Sequence, residues 1–202
     1  MTTERRDDAE EARFSILAVC TGNICRSPAM ERWLSAALGP ESGVVVSSAG
    51  AHAVVGAGVE PTMARLIRER GGDPTGFTAR QLALPHVQGA DLVLTASLGH
   101  NAVVSRLSRE AAARTFTIRE FARLIGEVGP GLMPSAPDVP SRLANLVTVA
   151  AQRRAQLRFA GPDDDVLDPV GQAEGVYRRA ADQIWAAVQA IAAIAADPGH
   201  AR

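Results

Sequence analysis

Cys20 and Arg26 stand with five residues between them in the run Val19-Cys20-Thr21-Gly22-Asn23-Ile24-Cys25-Arg26-Ser27-Pro28. An apolar stretch precedes the run, and a helical pattern opened by Pro28 follows it. A loop of this size at a helix N-terminus can turn its backbone N–H groups inward around a tetrahedral oxyanion. Arg26 then returns across the loop and clamps two oxygens through its planar fork, which lysine cannot imitate. Cys20 sits beneath the phosphorus, its thiolate favoured by the same N–H groups and by the helix dipole. The implied chemistry is transfer of a phosphoryl group onto sulfur.

The phosphate-binding set is Thr21, Gly22, Asn23, Ile24, Cys25, Arg26 and Ser27. Gly22 is expected to supply positive φ where the cradle is tight. Asn23 also tolerates a left-handed backbone, and its amide can brace its neighbours. Ser27 can donate a hydrogen bond to the Cys20 sulfur. Cys25 is near enough in sequence to form a reversible disulfide with Cys20, sparing the nucleophile from overoxidation. A cysteine by itself is usually a small buried hydrophobe. Here the arginine, the serine, the preceding strand and the following helix meet several requirements of a thiolate site together.

The departing oxygen also needs a proton. Asp168 in Leu167-Asp168-Pro169 is the candidate acid, on a loop that proline stiffens ahead of the last helix. The dipeptide alone does not single it out, because Asp73-Pro74 and Asp197-Pro198 also occur. Asp163, Asp164 and Asp165 read as a solvated acidic loop.

Positioning such a loop requires a strand before it and a helix after it. Phe14 to Val19 is an apolar run suited to a buried parallel strand. A helix from Pro28 to about Leu38 follows, with Met30, Trp33, Leu34 and Leu38 on one face, and Gly39-Pro40 stops it. Val44 to Ser48, Asp91 to Thr95 and Thr115 to Ile118 are the next strands. Helices are expected at Pro61 to Arg70, closed by Gly71-Gly72, then from the Ser97 cap to Leu107, and from Arg119 to Ile125. This alternation predicts an α/β fold with a parallel sheet. Residues 127–161 break the rhythm and are read as an insertion or lid-like excursion, helical from Ser141 to about Arg158 and ended by Gly161-Pro162. A long helix from Ala173 to Ala195 closes a single domain spanning about 13–200.

At 202 residues, 47% hydrophobic and 21% charged, the chain has an ordinary globular composition. A net charge of −1 gives no general electrostatic case for nucleic acid or a membrane surface. Arg153-Arg154 and Arg178-Arg179 read as solvated helix faces. The two cysteines lie in one loop, so no disulfide framework is expected. Residues 1–12 read as a disordered leader without a secretory pattern, and the expected location is the cytoplasm. No dinucleotide fingerprint or Walker loop occurs. His86, His100 and His200 lack partners at metal spacing and read as surface or satisfied core histidines. Trp33 and Trp185 fall at packing positions, and Arg80 reads as a structural or pocket-rim residue.

The run Cys20 to Pro28 resembles the signature of the low-molecular-weight protein tyrosine phosphatases. Ser47-Ser48-Ala49-Gly50 is similar to that family's turn after its second strand, and Ala79-Arg80-Gln81-Leu82 to its Ala/Ser-Arg-x-Leu pattern. Asp168-Pro169 falls where the family carries its general acid. The resemblance implies a four-stranded parallel sheet flanked by helices, of flavodoxin-like architecture, with Ser48 as loop support. It also implies a cytoplasmic hydrolase working through a phosphocysteine, with Cys20, Arg26 and Asp168 catalytic, a phosphoprotein or small phosphate ester as substrate, and no metal or organic cofactor.

Two departures stand against it. Family members selective for phosphotyrosine usually carry aromatic residues on the pocket wall, where this chain has Ala51, His52, Ala53, Val54 and Val55, then Val170 and Gly171. His52 can stack only in part, and Tyr177 belongs to the last helix. Residues 127–161 also exceed what the compact family core requires. The rival readings are thiol-dependent arsenate reduction, protein-arginine phosphatase activity and a non-catalytic phosphate-binding module. No cysteine follows Cys25, against the thioredoxin-coupled reductases. Ile24 stands where arginine phosphatases tend to place threonine.

Overall fold

A computed structural model describes residues 13–127, 136–157 and 164–196. Four strands form one parallel sheet in the order β2-β1-β3-β4: β1 (Phe14–Cys20), β2 (Val44–Gly50), β3 (Leu92–Thr95) and β4 (Thr115–Thr117). Among the described residues, seven α-helices accompany them: α1 (Arg26–Leu38), α2 (Pro61–Glu69), α3 (Leu84–Gln88), α4 (Leu98–Leu107), α5 (Ile118–Gly126), α6 (Val139–Gln156) and α7 (Glu174–Ala196).

The central strand shows why the sheet is covered on both faces. Phe14, Ile16, Ala18 and Cys20 point into a core shared with α1, α5, α6 and α7. Leu17 and Val19 point into a second core with Val87, Val93 and Val104, beneath α3 and α4. Successive side chains alternate across a strand, so an unbroken apolar run is what a doubly covered parallel strand requires. The connection leaving β1 adds β2 on one side, and the next connection adds β3 on the other. The loop after β1 therefore opens at the point where the strand order reverses, the usual crevice of such sheets.

Local signals set the boundaries. Gly39 at φ 83° ends α1, and Thr117 with Glu120 forms a reciprocal capping box on α5. Ser97 precedes α4, yet its side chain caps no backbone N–H. Its hydroxyl is taken by His100 instead, at 2.7 Å.

Of residues 127–161, read as an insertion or lid-like excursion, the described part forms a helix packed on the core. Asp138 caps α6 by accepting from the Ser141 N–H, which starts the helix two residues earlier than expected. Leu143, Leu146 and Ala150 then pack into the main core. Arg154 donates to the Thr115 carbonyl at the start of β4 and stacks over Phe116, 4.1 Å from the ring centre. Helix α6 thus covers the end of the sheet where the strands begin, away from Cys20, and contributes no wall to the pocket. Its expected Gly161-Pro162 stop and the leader at 1–12 lie outside the described residues.

Candidate active site

Cys20 is the last residue of β1 and Arg26 the first of α1, so the two elements fix both ends of the loop. The carbonyls of Thr21, Gly22 and Ile24 all turn outward, accepting from the N–H groups of His52, Val54 and Glu60. Among the described residues, no protein acceptor takes the N–H groups of Thr21 through Ser27. Outward carbonyls and unclaimed inward donors make the anion nest that the spacing suggests.

The left-handed residue is Asn23, at φ 54°, and Gly22 is not among the positive-φ glycines. The sequence reading of Gly22 is corrected accordingly. Asn23 offsets its strain with three hydrogen bonds. Its side-chain amide donates to Ser27 Oγ at 2.9 Å and to Ser48 Oγ at 2.8 Å, and its Oδ1 accepts from the Arg80 N–H at 2.9 Å. Ser48, at the buried end of β2, donates its own hydrogen bond to Glu31 Oε2 at 2.6 Å. Arg80 also donates through Nε to the Ser48 carbonyl at 2.7 Å, which makes it a brace behind the loop.

Cys20 Sγ lies 3.0 Å from Ser27 Oγ. Asn23 donates to that hydroxyl oxygen, which leaves the Ser27 hydroxyl hydrogen free to meet the sulfur. Cys25 is buried in the same loop, and both thiols are free. Burial first, then the charges of Glu60 and Cys20, push the Cys25 thiol up to about 12, so it stays protonated at neutral pH.

Arg26 reaches across the mouth. It donates to Asp168 Oδ2 at 2.7 Å and to the Val166 carbonyl at 3.4 Å. The guanidinium is almost wholly buried, while the Asp168 side chain is 54% exposed. Asp168 Oδ1 accepts from the Val170 N–H at 3.3 Å, a local turn that aims the carboxyl group.

The acid loop is held in ways that the sequence did not suggest. Asp164 is buried and pairs with Arg123 at 2.7 Å, and its carbonyl accepts from Thr117 Oγ1. Asp165 accepts from the Leu98 N–H at 2.7 Å. Asp164 is therefore a buried anchor for the loop, and Asp165, although exposed, ties it to α4. Asp163 lies outside the described residues. His100 is a satisfied core histidine, as its lack of metal-spaced partners suggests, and its ring joins Ser97 to Thr21 of the phosphate loop. The signal was its place three residues after Ser97, in the first turn of a helix that starts beside β3.

The rim is largely aliphatic, with His52 exposed on the same loop as Val54 and Val55. Val54, Val55, Leu167 and Val170 are all exposed on the loops flanking the mouth, and Val54 leans on Gly22. Among the described residues, no group of three or more His, Cys, Asp or Glu side chains could hold a metal ion. No described helix is long and apolar enough to cross a membrane.

Comparison with known proteins agrees with this geometry. The family model for low molecular weight phosphotyrosine protein phosphatase matches residues 15–128. The low molecular weight protein-tyrosine-phosphatase Etp of Escherichia coli K12 is 39% identical over 107 residues, covering 53% of this chain and 70% of Etp. A protein-arginine-phosphatase of Geobacillus stearothermophilus is 27% identical over 179 residues, covering 89% and 94% of the two chains. The crystal structure of the Erwinia amylovora tyrosine phosphatase AmsI superposes with a TM-score of 0.64 at 25% identity, covering 88% of this chain and 90% of that one. With the family model spanning more than half of its length, the chain belongs to the low-molecular-weight phosphotyrosine protein phosphatase family, cysteine-dependent hydrolases that work through a phosphocysteine.

Proposed function

We propose that the chain hydrolyses phosphotyrosine in proteins or peptides, with Cys20 as nucleophile, Arg26 as phosphate clamp and Asp168 as acid and then base. The observation that carries this reading is a pair of contacts made by one loop: Cys20 Sγ against Ser27 Oγ at 3.0 Å, and Arg26 against Asp168 at 2.7 Å. An incoming phosphoryl dianion takes over the guanidinium, and the Asp168 carboxyl, in its protonated form, turns to the ester oxygen.

In the first step the Cys20 thiolate attacks phosphorus, the bond from phosphorus to the ester oxygen breaks, and Asp168 gives its proton to that oxygen. In the second step water attacks the phosphocysteine and passes a proton to the Asp168 carboxylate. The S–P bond breaks, returning the thiolate under the Ser27 hydroxyl and releasing inorganic phosphate. Through both steps the Arg26 fork and the inward N–H groups hold the charge on the phosphoryl oxygens.

The rim accepts a phenyl ring chiefly by burial against its aliphatic side chains, with partial stacking left to His52. Phosphoarginine is the second reading, favoured by the arginine-phosphatase relative that matches along most of the chain. Phosphate release from a phosphotyrosine peptide and a phosphoarginine peptide, with wild type beside Cys20→Ser, separates them. Cys20-dependent turnover of the first peptide is expected, and Cys20→Ser should still bind inorganic phosphate. Turnover of only the second peptide moves the assignment to arginine, and turnover by Cys20→Ser overturns the role of Cys20.

A further inference from the structure

The phosphate loop is held unevenly. From the side of β2 and α2 it is tied by Ser48, by the N–H groups of His52, Val54 and Glu60, and by Arg80. On the side of β3 and α4, one hydrogen bond reaches residues 21 to 25 among the described residues, from His100 Nε2 to Thr21 Oγ1 at 3.0 Å. Its other ring nitrogen meets Ser97 Oγ at 2.7 Å. His100 is buried although it belongs to a short helix whose first turn is otherwise largely exposed. Both polar atoms of a buried imidazole are therefore spent on one chain, Ser97–His100–Thr21, that ends on the residue next to the nucleophile.

We propose that His100 is a positioning residue for phosphoryl transfer, pinning Thr21 so that the first turn of the loop keeps its N–H groups aimed at the phosphoryl oxygens. The proposal rests on the phosphatase reading of the same loop. A neutral ring suits the task, because it donates at one nitrogen and accepts at the other, making the chain directional. A charged ring would set a second buried cation beside Arg26. The charged groups that act on the ring are Arg26 from α1 and Asp165 and Asp168 from the acid loop. Burial, followed by Arg26, outweighs the two aspartates and pushes the imidazole down to about 4, which keeps it neutral.

The two amide side chains divide the two contacts. Glutamine at this position reaches about as far as Nε2 and can still meet Thr21, while asparagine reaches only about as far as Nδ1 and can meet only Ser97. The experiment compares His100→Asn, His100→Gln, Thr21→Val and the double variant His100→Asn/Thr21→Val, measuring kcat/KM and the Kd for inorganic phosphate after thermal melts show folded protein. His100→Asn should lose about tenfold in kcat/KM, with phosphate binding weakened in parallel, and His100→Gln should recover most of it. The double variant should be no worse than the poorer single one, because both changes cut the same link. Equal losses for asparagine and glutamine, or losses that multiply in the double variant, overturn the proposal. If the wild type hydrolyses no phosphomonoester, the phosphatase reading fails, and the same cycle read on the phosphate Kd still decides whether His100 acts through Thr21.

Discussion

Asp168 splits two tasks between its two oxygens. Oδ1 is committed to the Val170 N–H and fixes where the carboxyl points, leaving Oδ2 facing Arg26, where the proposed mechanism needs its proton. Asparagine keeps the Oδ1 acceptor and removes the proton donor, so Asp168→Asn isolates the chemistry from the turn. It should slow hydrolysis of phenyl phosphate by about 10²–10⁴-fold, and an aryl phosphate with a strongly acidic phenol much less. Equal slowing of both substrates would assign Asp168 to loop structure alone. Cys25 poses a second question at this scale. Peroxide converts Cys20 to a sulfenic acid; attack by the Cys25 sulfur would then form the disulfide, with water as the leaving group. A thiol pushed up to about 12 is a slow partner until its proton leaves, but its neighbour is fixed in the same buried loop. Wild type inactivated by mild peroxide should regain activity with dithiothreitol, and Cys25→Ser should not. Matching recovery in both proteins would remove the protective role.

The loop's shape is settled by elements that meet it from outside. Gly50 ends β2 against it, where an added Cβ would stand 2.5 Å from the Thr21 carbonyl oxygen and 3.0 Å from Asn23 Cβ. Neither neighbour is the free end of a flexible side chain, so Gly50→Ala must push the loop. Its kcat/KM should fall at least about tenfold with a weaker Kd for phosphate, since misplaced nest donors cost transition-state stabilisation; unchanged kinetics would mean that the loop gives way harmlessly. Much of this arrangement is legible in the chain. Apolar runs broken by glycine and proline mark the strand–loop–helix unit, and the Cys20 to Arg26 spacing marks the nest within it. What escapes is contact between elements far apart in sequence. Nothing local separates Gly22 from Asn23 as the left-handed residue, because the bonds that stabilise Asn23 come from Ser48 and Arg80. Asp164 looks solvated until Arg123 and Thr117 are placed beside it. Helix α6 looks like an excursion until Leu143 and Leu146 meet the core.

Across the whole molecule, the reactive groups gather at the ends of the strands where β1 and β3 part, while α6 and the far end of α7 close the opposite end. Arg142 joins that far end by donating to the Ala195 carbonyl at 2.7 Å. The site end therefore carries costs that the rest of the fold must offset, including a left-handed asparagine and a buried imidazole beside a buried guanidinium. The imidazole cost can be read through pH. Its ordinary value of 6.5 falls to about 4 in the folded protein, through burial and Arg26, so the unfolded chain binds this proton first as pH drops. Stability rises with pH wherever the unfolded state holds more protons. The His100 contribution is thus fully present above about 6.5 and is lost as pH falls from there toward 4, where the folded state at last takes the proton too. Urea unfolding at a series of pH values should show this acid-side decline in wild type and a shallower one in His100→Gln, which has no proton to bind. Identical slopes in the two proteins would mean that the ring is protonated in the folded state as readily as in the unfolded one, and that Arg26 and burial do not keep it neutral.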